Sequence, residues 1–372
     1  MTATETSISL PAGLRPKDGR FGSGPSKVRP EAIHALSSLA RDYLGTSHRQ
    51  VTVKDQVSRL RSGLSNLFDL PDGWEIILGN GGTTLFWDAA SFGLIEYASQ
   101  HLTFGEFSSK FAKVVQAAPH LAEPQIISSD PGTHPMPVKS NVDSYALTHN
   151  ETSTGVLATL SRPSEDGLVL VDATSAAGAI LWNPSEVDCY YFAPQKALAS
   201  DGGLWFAACS PRAVERIQLL CSGDRWIPAS LDLGIALTNS RQNQTYNTPS
   251  LATIFLAAET VDWINESGGL KWAEARCRES SDTIYQWASE RSFTQPFVAE
   301  AGQRSPVVCT IDFDGVEADA ISRVLRVNGI LDTESYRKLG RNQLRIATFP
   351  AIDPDDVRAL CTCIDYIVDS LT

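Results

Sequence analysis

No run of apolar residues in this 372-residue chain approaches the roughly eighteen that a membrane-crossing helix needs, so no membrane span is expected. The opening segment, MTATETSISLPAGLRPKDG, has neither a basic start nor an apolar stretch and does not read as a secretory signal. Positive charge is in short supply. Against 43 Asp and Glu stand 31 Lys and Arg, a net charge of −12. A phosphate backbone needs a basic face, so this balance argues against a nucleic-acid partner. A local arginine cluster could still hold a small anion. The seven cysteines, at 189, 209, 221, 277, 309, 361 and 363, have no framework spacing and read as reduced thiols in a cytoplasmic protein. Cys361-x-Cys363 has no second pair and no nearby histidine, so helix packing is the reading and no metal site is expected. Internal repeats and low-complexity tracts are absent too. An apolar content of 42% excludes a disordered chain, and the length exceeds what one hydrophobic core usually serves.

What is present is a strand and helix alternation. Trp74–Leu78 (WEIIL) reads as a strand, followed by the glycine-rich turn Gly79–Thr84 and a helical stretch. Gly167–Val171 (GLVLV) is a continuous apolar run of the kind a doubly covered parallel strand shows. Cys189–Phe192 and Leu204–Ala208 are further strands. Helices are expected over Ser250–Glu266, Gly269–Arg291, Val316–Val327 and Pro354–Ser370, with strands at Val307–Ile311 and Leu344–Thr348. The fold class is α/β, with a large domain built on a mostly parallel sheet and a smaller α+β domain at the C-terminus. The expected division is an arm over 1–20, a large domain over 21–262 and a small domain over 263–372.

Two features carry chemistry. The turn Gly79–Thr84 opens a helix, and backbone N–H groups there can approach a phosphate. It is neither a Walker loop nor a dinucleotide fingerprint, since Thr84 stands where the latter needs a small residue. On its own it is equally a plain tight turn. The second feature is a pair. Asp172 ends the apolar strand, and Lys196 follows Tyr190-Tyr191-Phe192 in Ala193-Pro194-Gln195-Lys196, at the same end of the sheet. Pyridoxal phosphate chemistry needs a lysine for the Schiff base and an acid facing the ring nitrogen. Downstream of a phosphate turn, that combination outweighs a strand cap beside a solvated lysine.

At this point the chain resembles the phosphoserine aminotransferases, a branch of the class V, fold-type I pyridoxal-phosphate enzymes, and is most similar to the actinobacterial type. The resemblance runs from about Phe21 to the C-terminus through FGSGPSKV, SHRQ, GNGGTT, HNETSTGV, VDATSAAGA, APQKALASDGG, TYNTPS and LRIATFPA. It implies that Lys196 holds the cofactor and moves the proton, and that Asp172 pairs with the ring nitrogen. It further implies that Thr152 meets the phenolic oxygen and Phe107 stacks on the ring where many relatives carry tryptophan. Thr83, Thr84 and Gln195 would contact the cofactor phosphate. Asn247 and Thr248 would reach the phosphate of the neighbouring subunit, which makes a homodimer with shared sites obligatory.

The implied substrates are 3-phosphohydroxypyruvate and L-glutamate, each anionic at both ends. One site serving both needs a cation at each end, and arginine's planar fork suits carboxylate and phosphate alike. Arg345 would grip the α-carboxylate; His48, Arg49 and Arg337 would take the distal group. Lys338 and Arg341 read as surface charges. Enterobacterial relatives carry an arginine at the position of Thr84, so distal recognition is redistributed here, with Arg341 as one recipient. The same family makes 4-phosphohydroxythreonine in pyridoxine biosynthesis a second candidate substrate. The rivals are an alanine–glyoxylate or serine–glyoxylate type transaminase, a cysteine desulfurase and a non-catalytic binder of phosphate ligands.

Overall fold

The computed structural model describes residues 8–371. Among them the helices are α1 (Pro30–Tyr43), α2 (Val51–Leu67), α3 (Thr83–Gly93), α4 (Glu106–Ala117), α5 (Pro211–Cys221), α6 (Leu233–Arg241), α7 (Leu251–Ser267), α8 (Gly269–Ser289), α9 (Ala318–Val327) and α10 (Pro354–Leu371). The strands are β1 (Glu75–Asn80), β2 (Ser99–Thr103), β3 (Gln125–Ser128), β4 (Ser144–Thr148), β5 (Asn150–Glu151), β6 (Val156–Leu157), β7 (Leu168–Asp172), β8 (Cys189–Phe192), β9 (Leu204–Cys209), β10 (Thr294–Pro296), β11 (Val308–Phe313) and β12 (Gln343–Ala347).

Seven strands form one sheet in the order β1-β9-β8-β7-β4-β2-β3. Only β9 runs against its neighbours; the other six point the same way. The sequence explains why β7 lies at the centre. Every residue of Leu168–Asp172 is buried, with Leu168 and Leu170 in the apolar layer under α3, α5 and α6, and Val169 and Val171 in the layer under α2 and α7. Alternation along a strand sends neighbours to opposite faces, so an unbroken apolar run is what two helical layers require. The expected turn at Gly79–Thr84 is shorter than the sequence reading had it. Gly79 and Asn80 belong to β1, paired with Trp205 and Leu204, which leaves Gly81 and Gly82 as the turn.

A second sheet, β10-β11-β12, is antiparallel and packs with α8, α9 and α10. Residue 262, where the division was expected, lies inside α7, and Asp262 pairs with Arg59 of α2 at 2.6 Å. The packing partners change after Gly268, where α8 turns towards α10 and β10. Of the expected arm, residues 1–7 lie outside the described residues. Residues 8–20 are docked on the elements after Gly269. Leu10 donates its N–H to Asn328 Oδ1 at 2.9 Å, and Lys17 donates to Asp356 Oδ1 at 2.7 Å. The Cys363 thiol reaches the Leu14 carbonyl at 3.2 Å. Phe21 then spans Leu331 and Ala347 by backbone hydrogen bonds, which brings the chain to the edge of the main sheet.

Candidate active site

Parallel strands end at a common edge, and the crevice beyond their carboxyl ends is where open α/β sheets hold ligands. Strand β7 ends there with Asp172, β8 leads to Lys196, and β1 leads to the Gly81-Gly82 turn. Asp172 is 4% exposed. Its Oδ1 accepts the backbone N–H and the hydroxyl of Thr174, at 2.9 and 2.6 Å, and its Oδ2 accepts the Trp87 indole N–H at 3.1 Å. Burial pushes its carboxyl above the ordinary range, while those donors pull the other way.

Lys196 donates from Nζ to the Ser23 carbonyl at 2.6 Å. The segment around Ser23 is fastened to the lysine loop, since Ser26 donates its N–H to the Gln195 carbonyl at 2.9 Å and its hydroxyl to the Lys196 carbonyl. Gly24, at φ 151° in a conformation that favours glycine, leaves room for the amine, and a Cβ there would displace the end of the Lys196 side chain. Burial first, then the nearby Arg345 cation, lowers the Lys196 ammonium from 10.5 to about 8, with Asp172 opposing.

The turn is suited to an anion. Gly82 caps α3 at φ 78°, a left-handed conformation that glycine adopts without strain. The first N–H groups of a helix lack a carbonyl one turn before them, and in α3 it is only from Leu85 and Phe86 onward that they bond back, to the Gly82 carbonyl at 3.1 and 3.2 Å. Thr83 is buried, Thr84 is exposed, and Gly81 donates to the Gly203 carbonyl at 2.9 Å. Near Gly202, the buried Gln195 Oε1 has no partner among the described residues, and neither has Asn150 Oδ1. Thr152 donates its hydroxyl to Ser175 Oγ at 2.8 Å, within a small network that includes Asn150. Unpaired buried oxygens are costly, and here they flank Asp172, Gln195 after β8 on the side of the turn and Asn150 after β4 on the other. The donor set therefore fits a flat, phosphorylated aromatic cofactor.

Phe107 sits on the first turn of α4. That turn is held by the fully buried Glu151, whose Oε2 accepts from the N–H groups of Phe107 and Ser108 at 3.1 and 2.9 Å. The Phe107 ring meets Tyr336 with centroids 6.1 Å apart, and the Arg345 guanidinium lies 5.3 Å from the Tyr336 centroid. Arg345, on β12, also reaches the Thr152 carbonyl at 3.4 Å, while its buried Nε has no partner among the described residues. Arg345, Arg337 and Tyr336 line a cleft of about 1180 Å³ together with Ser23, Gly24 and Pro25. Lys338 and Arg341 are both exposed, as the surface reading expected, but neither is unpaired. Lys338 pairs with Glu106 of α4. Arg341 pairs with Asp312 through two nitrogens and lies 4.6 Å from the Phe297 ring centroid, so at the wall of the same cleft its charge is already shared with a carboxylate.

His48 and Arg49 do not share that cleft. His48 is buried, with Nδ1 3.3 Å from Thr248 Oγ1, and burial lowers its imidazole. Asn247 accepts from Asn80 Nδ2 at 2.6 Å, so Asn247, Thr248 and His48 form one group beyond the end of β1. Asn247, Thr248 and Arg49 are exposed, and Arg49 lines a separate cavity of about 780 Å³ with Asp232, Arg241 and Tyr246. Sequence reading missed Ser23, Trp87, Glu151 and Tyr336. Glu151 and Tyr336 stand next to flagged residues, but only the fold shows what they touch.

A desulfurase needs a reactive thiol on an accessible loop. Cys309 and Cys361 are buried with thiols pushed up to about 12, and Cys363 to about 11. That reading fails.

The family model for class-V aminotransferases matches residues 20–333. A phosphoserine aminotransferase from Nocardioides is 56% identical over 370 residues, covering 98% of this chain and 99% of that protein. A crystal structure of a phosphoserine aminotransferase from Cytophaga hutchinsonii superposes with TM-score 0.87 at 22% identity, over 94% of this chain and 99% of that one. An alanine–glyoxylate aminotransferase from Nostoc superposes with TM-score 0.79 at 19% identity, over 99% of this chain and all of that one. The architecture is thus shared across substrate preferences, and sequence identity makes the finer distinction. On both counts the chain belongs to the class-V aminotransferases and, within them, to the phosphoserine aminotransferase family.

Proposed function

We propose that the chain is a cytoplasmic, homodimeric, pyridoxal-phosphate-dependent aminotransferase that converts 3-phosphohydroxypyruvate and L-glutamate to O-phospho-L-serine and 2-oxoglutarate. One observation carries the reading. A half-buried lysine with a lowered pKa and a clamped, buried aspartate meet at one sheet edge, beside an anion-ready helix start. When bound, pyridoxal phosphate supplies the electron sink that lets the substrate Cα–H bond break. Lys196 takes that proton at Nζ and returns it, a role open to an amine that is neutral above about pH 8. With the cofactor bound, Asp172 would face the ring nitrogen, Thr152 the phenolic oxygen, and Phe107 the ring face. Thr83, Thr84 and Gln195 would hold the phosphate.

Arg345 takes the substrate α-carboxylate, and Arg337 contributes to the distal phosphate or carboxylate. His48, Arg49, Asn247 and Thr248 serve the neighbouring subunit's site in this reading. Their clustering outside their own chain's cleft supports it, as do the exposed Val51 and Tyr246 beside them (68% and 50% exposed). The segment up to Gly268 then carries the cofactor groups together with His48 and Arg49, and the segment after it carries Arg337 and Arg345. The free thiols support a cytoplasmic location.

The nearest alternative keeps the reaction and changes the keto acid to glyoxylate. An uncharged end would leave Arg337 and Arg49 idle. Steady-state comparison decides between them. The ratio kcat/KM with glutamate as donor should be about ten- to two-hundredfold higher for 3-phosphohydroxypyruvate than for glyoxylate or pyruvate, as a lost charge-assisted contact implies. Equal or reversed values would remove the substrate assignment.

A further inference from the structure

The donors around Asp172 come from two separate elements. Thr174, just after β7, gives its N–H and hydroxyl to Oδ1, and Trp87 of α3 gives its indole N–H to Oδ2. Trp87 is 2% exposed, and its ring lies nearly parallel to Phe111, at 17° and 6.5 Å between centroids. It cannot swing aside without opening the apolar layer between α3 and α4. A phenylalanine would satisfy that layer as well, so the indole N–H is a feature that packing does not require. A carboxylate oxygen offers two lone pairs. Both on Oδ1 are used by Thr174, whereas Oδ2 keeps one free.

We propose that Trp87, together with Thr174, is a positioning residue for Asp172. The clamp fixes the carboxylate about its Cβ–Cγ bond, favours its charged form against the burial that opposes it, and presents the one free lone pair of Oδ2 to a protonated ring nitrogen of the cofactor. The inference rests on the cofactor reading above. Thr174 acts on the orientation through Oδ1, and Trp87 opposes it from the other side. With either donor gone, the carboxylate gains a rotation and loses a stabiliser of its charge.

The test uses full-length apoprotein titrated with pyridoxal phosphate and, separately, with its 1-deaza analogue, whose ring C–H cannot donate to the carboxylate. In Trp87→Phe the Kd for pyridoxal phosphate should rise about ten- to a hundredfold, the range expected for a hydrogen bond to a charged group. The Kd for the deaza analogue should change by less than about threefold. Thr174→Val should show the same selectivity, which keeps the proposal open to refutation if Trp87→Phe does not fold. Equal losses for both ligands would mark a purely structural role and overturn the clamp. So would unchanged binding of pyridoxal phosphate. If the unsubstituted protein binds neither ligand, the cofactor reading itself falls and takes this inference with it.

Discussion

Lys196 owes its chemistry to two neighbours that pull against each other. Burial and Arg345 disfavour the ammonium, Asp172 favours it, and the balance is a pKa of about 8. Because the folded value lies below that of a free lysine, the amine becomes available as pH rises through about 8. The rate at which apoprotein takes up pyridoxal phosphate should therefore climb with an inflection near pH 8; stopped-flow absorbance across pH 6.5–10 would show it. An inflection above pH 10 would mean an unperturbed lysine. Arg345 carries a different prediction. Replacing it with alanine removes a charge-assisted contact of about 1.5–3 kcal/mol, so kcat/KM for glutamate should fall about ten- to two-hundredfold. Near-normal kinetics would remove Arg345 from the substrate site. Lys196 and Asp172 were legible in sequence because each stands at a strand end among small or apolar residues. Tyr336 was not, since an aromatic side chain inside a basic run gives no sign that it will lie between Phe107 and Arg345.

Among the elements, β7, β8 and β9 could be read from apolar runs, and α3, α7, α8, α9 and α10 from their patterning, whereas α1, α2, α4, α5 and α6 were not picked out. Strands β2 and β4 could not. SQHLT is mostly polar and SYALT is bounded by polar residues, yet every residue of both is buried. Their polar groups are satisfied in ways the sequence does not advertise. Ser99 Oγ lies 3.0 Å from His101 Nε2, and Gln100 bonds the Val138 carbonyl at 2.9 Å. The centre of the sheet offers a stability test. Leu170 is fully buried between β7 and the α3 layer, so Leu170→Ala should lower unfolding free energy by about 2–5 kcal/mol in denaturant melts. A loss under about 1 kcal/mol would mean that β7 is not the packed core described here. The basic run before β12 shows the limit of charge counting. Arg337, Lys338 and Arg341 look equivalent in sequence, but only Arg337 has no ion pair among the described residues.

For the whole molecule, the account requires two chains. His48 and Arg49 were read as substrate residues from their mild surroundings, and within one chain they lie outside the cleft of Arg337 and Arg345. A sequence cannot tell which copy of itself a residue will serve. If Arg49 serves the partner's site, then Lys196→Ala and Arg49→Ala are each inactive as homodimers, yet a mixed dimer holds one intact site. Unfolding, mixing and refolding the two variants together should restore activity towards a quarter of the unsubstituted level, following random pairing of subunits. No restoration would place Arg49 in its own chain's site.

The most direct test of the central claim is the absorbance of the purified, cofactor-loaded protein through two successive additions. L-Glutamate should bleach the yellow form, and 3-phosphohydroxypyruvate should then restore it faster than glyoxylate or pyruvate does. Restoration by the unphosphorylated acids alone would contradict the substrate assignment, and a protein that cannot be loaded with pyridoxal phosphate at all would contradict the enzyme.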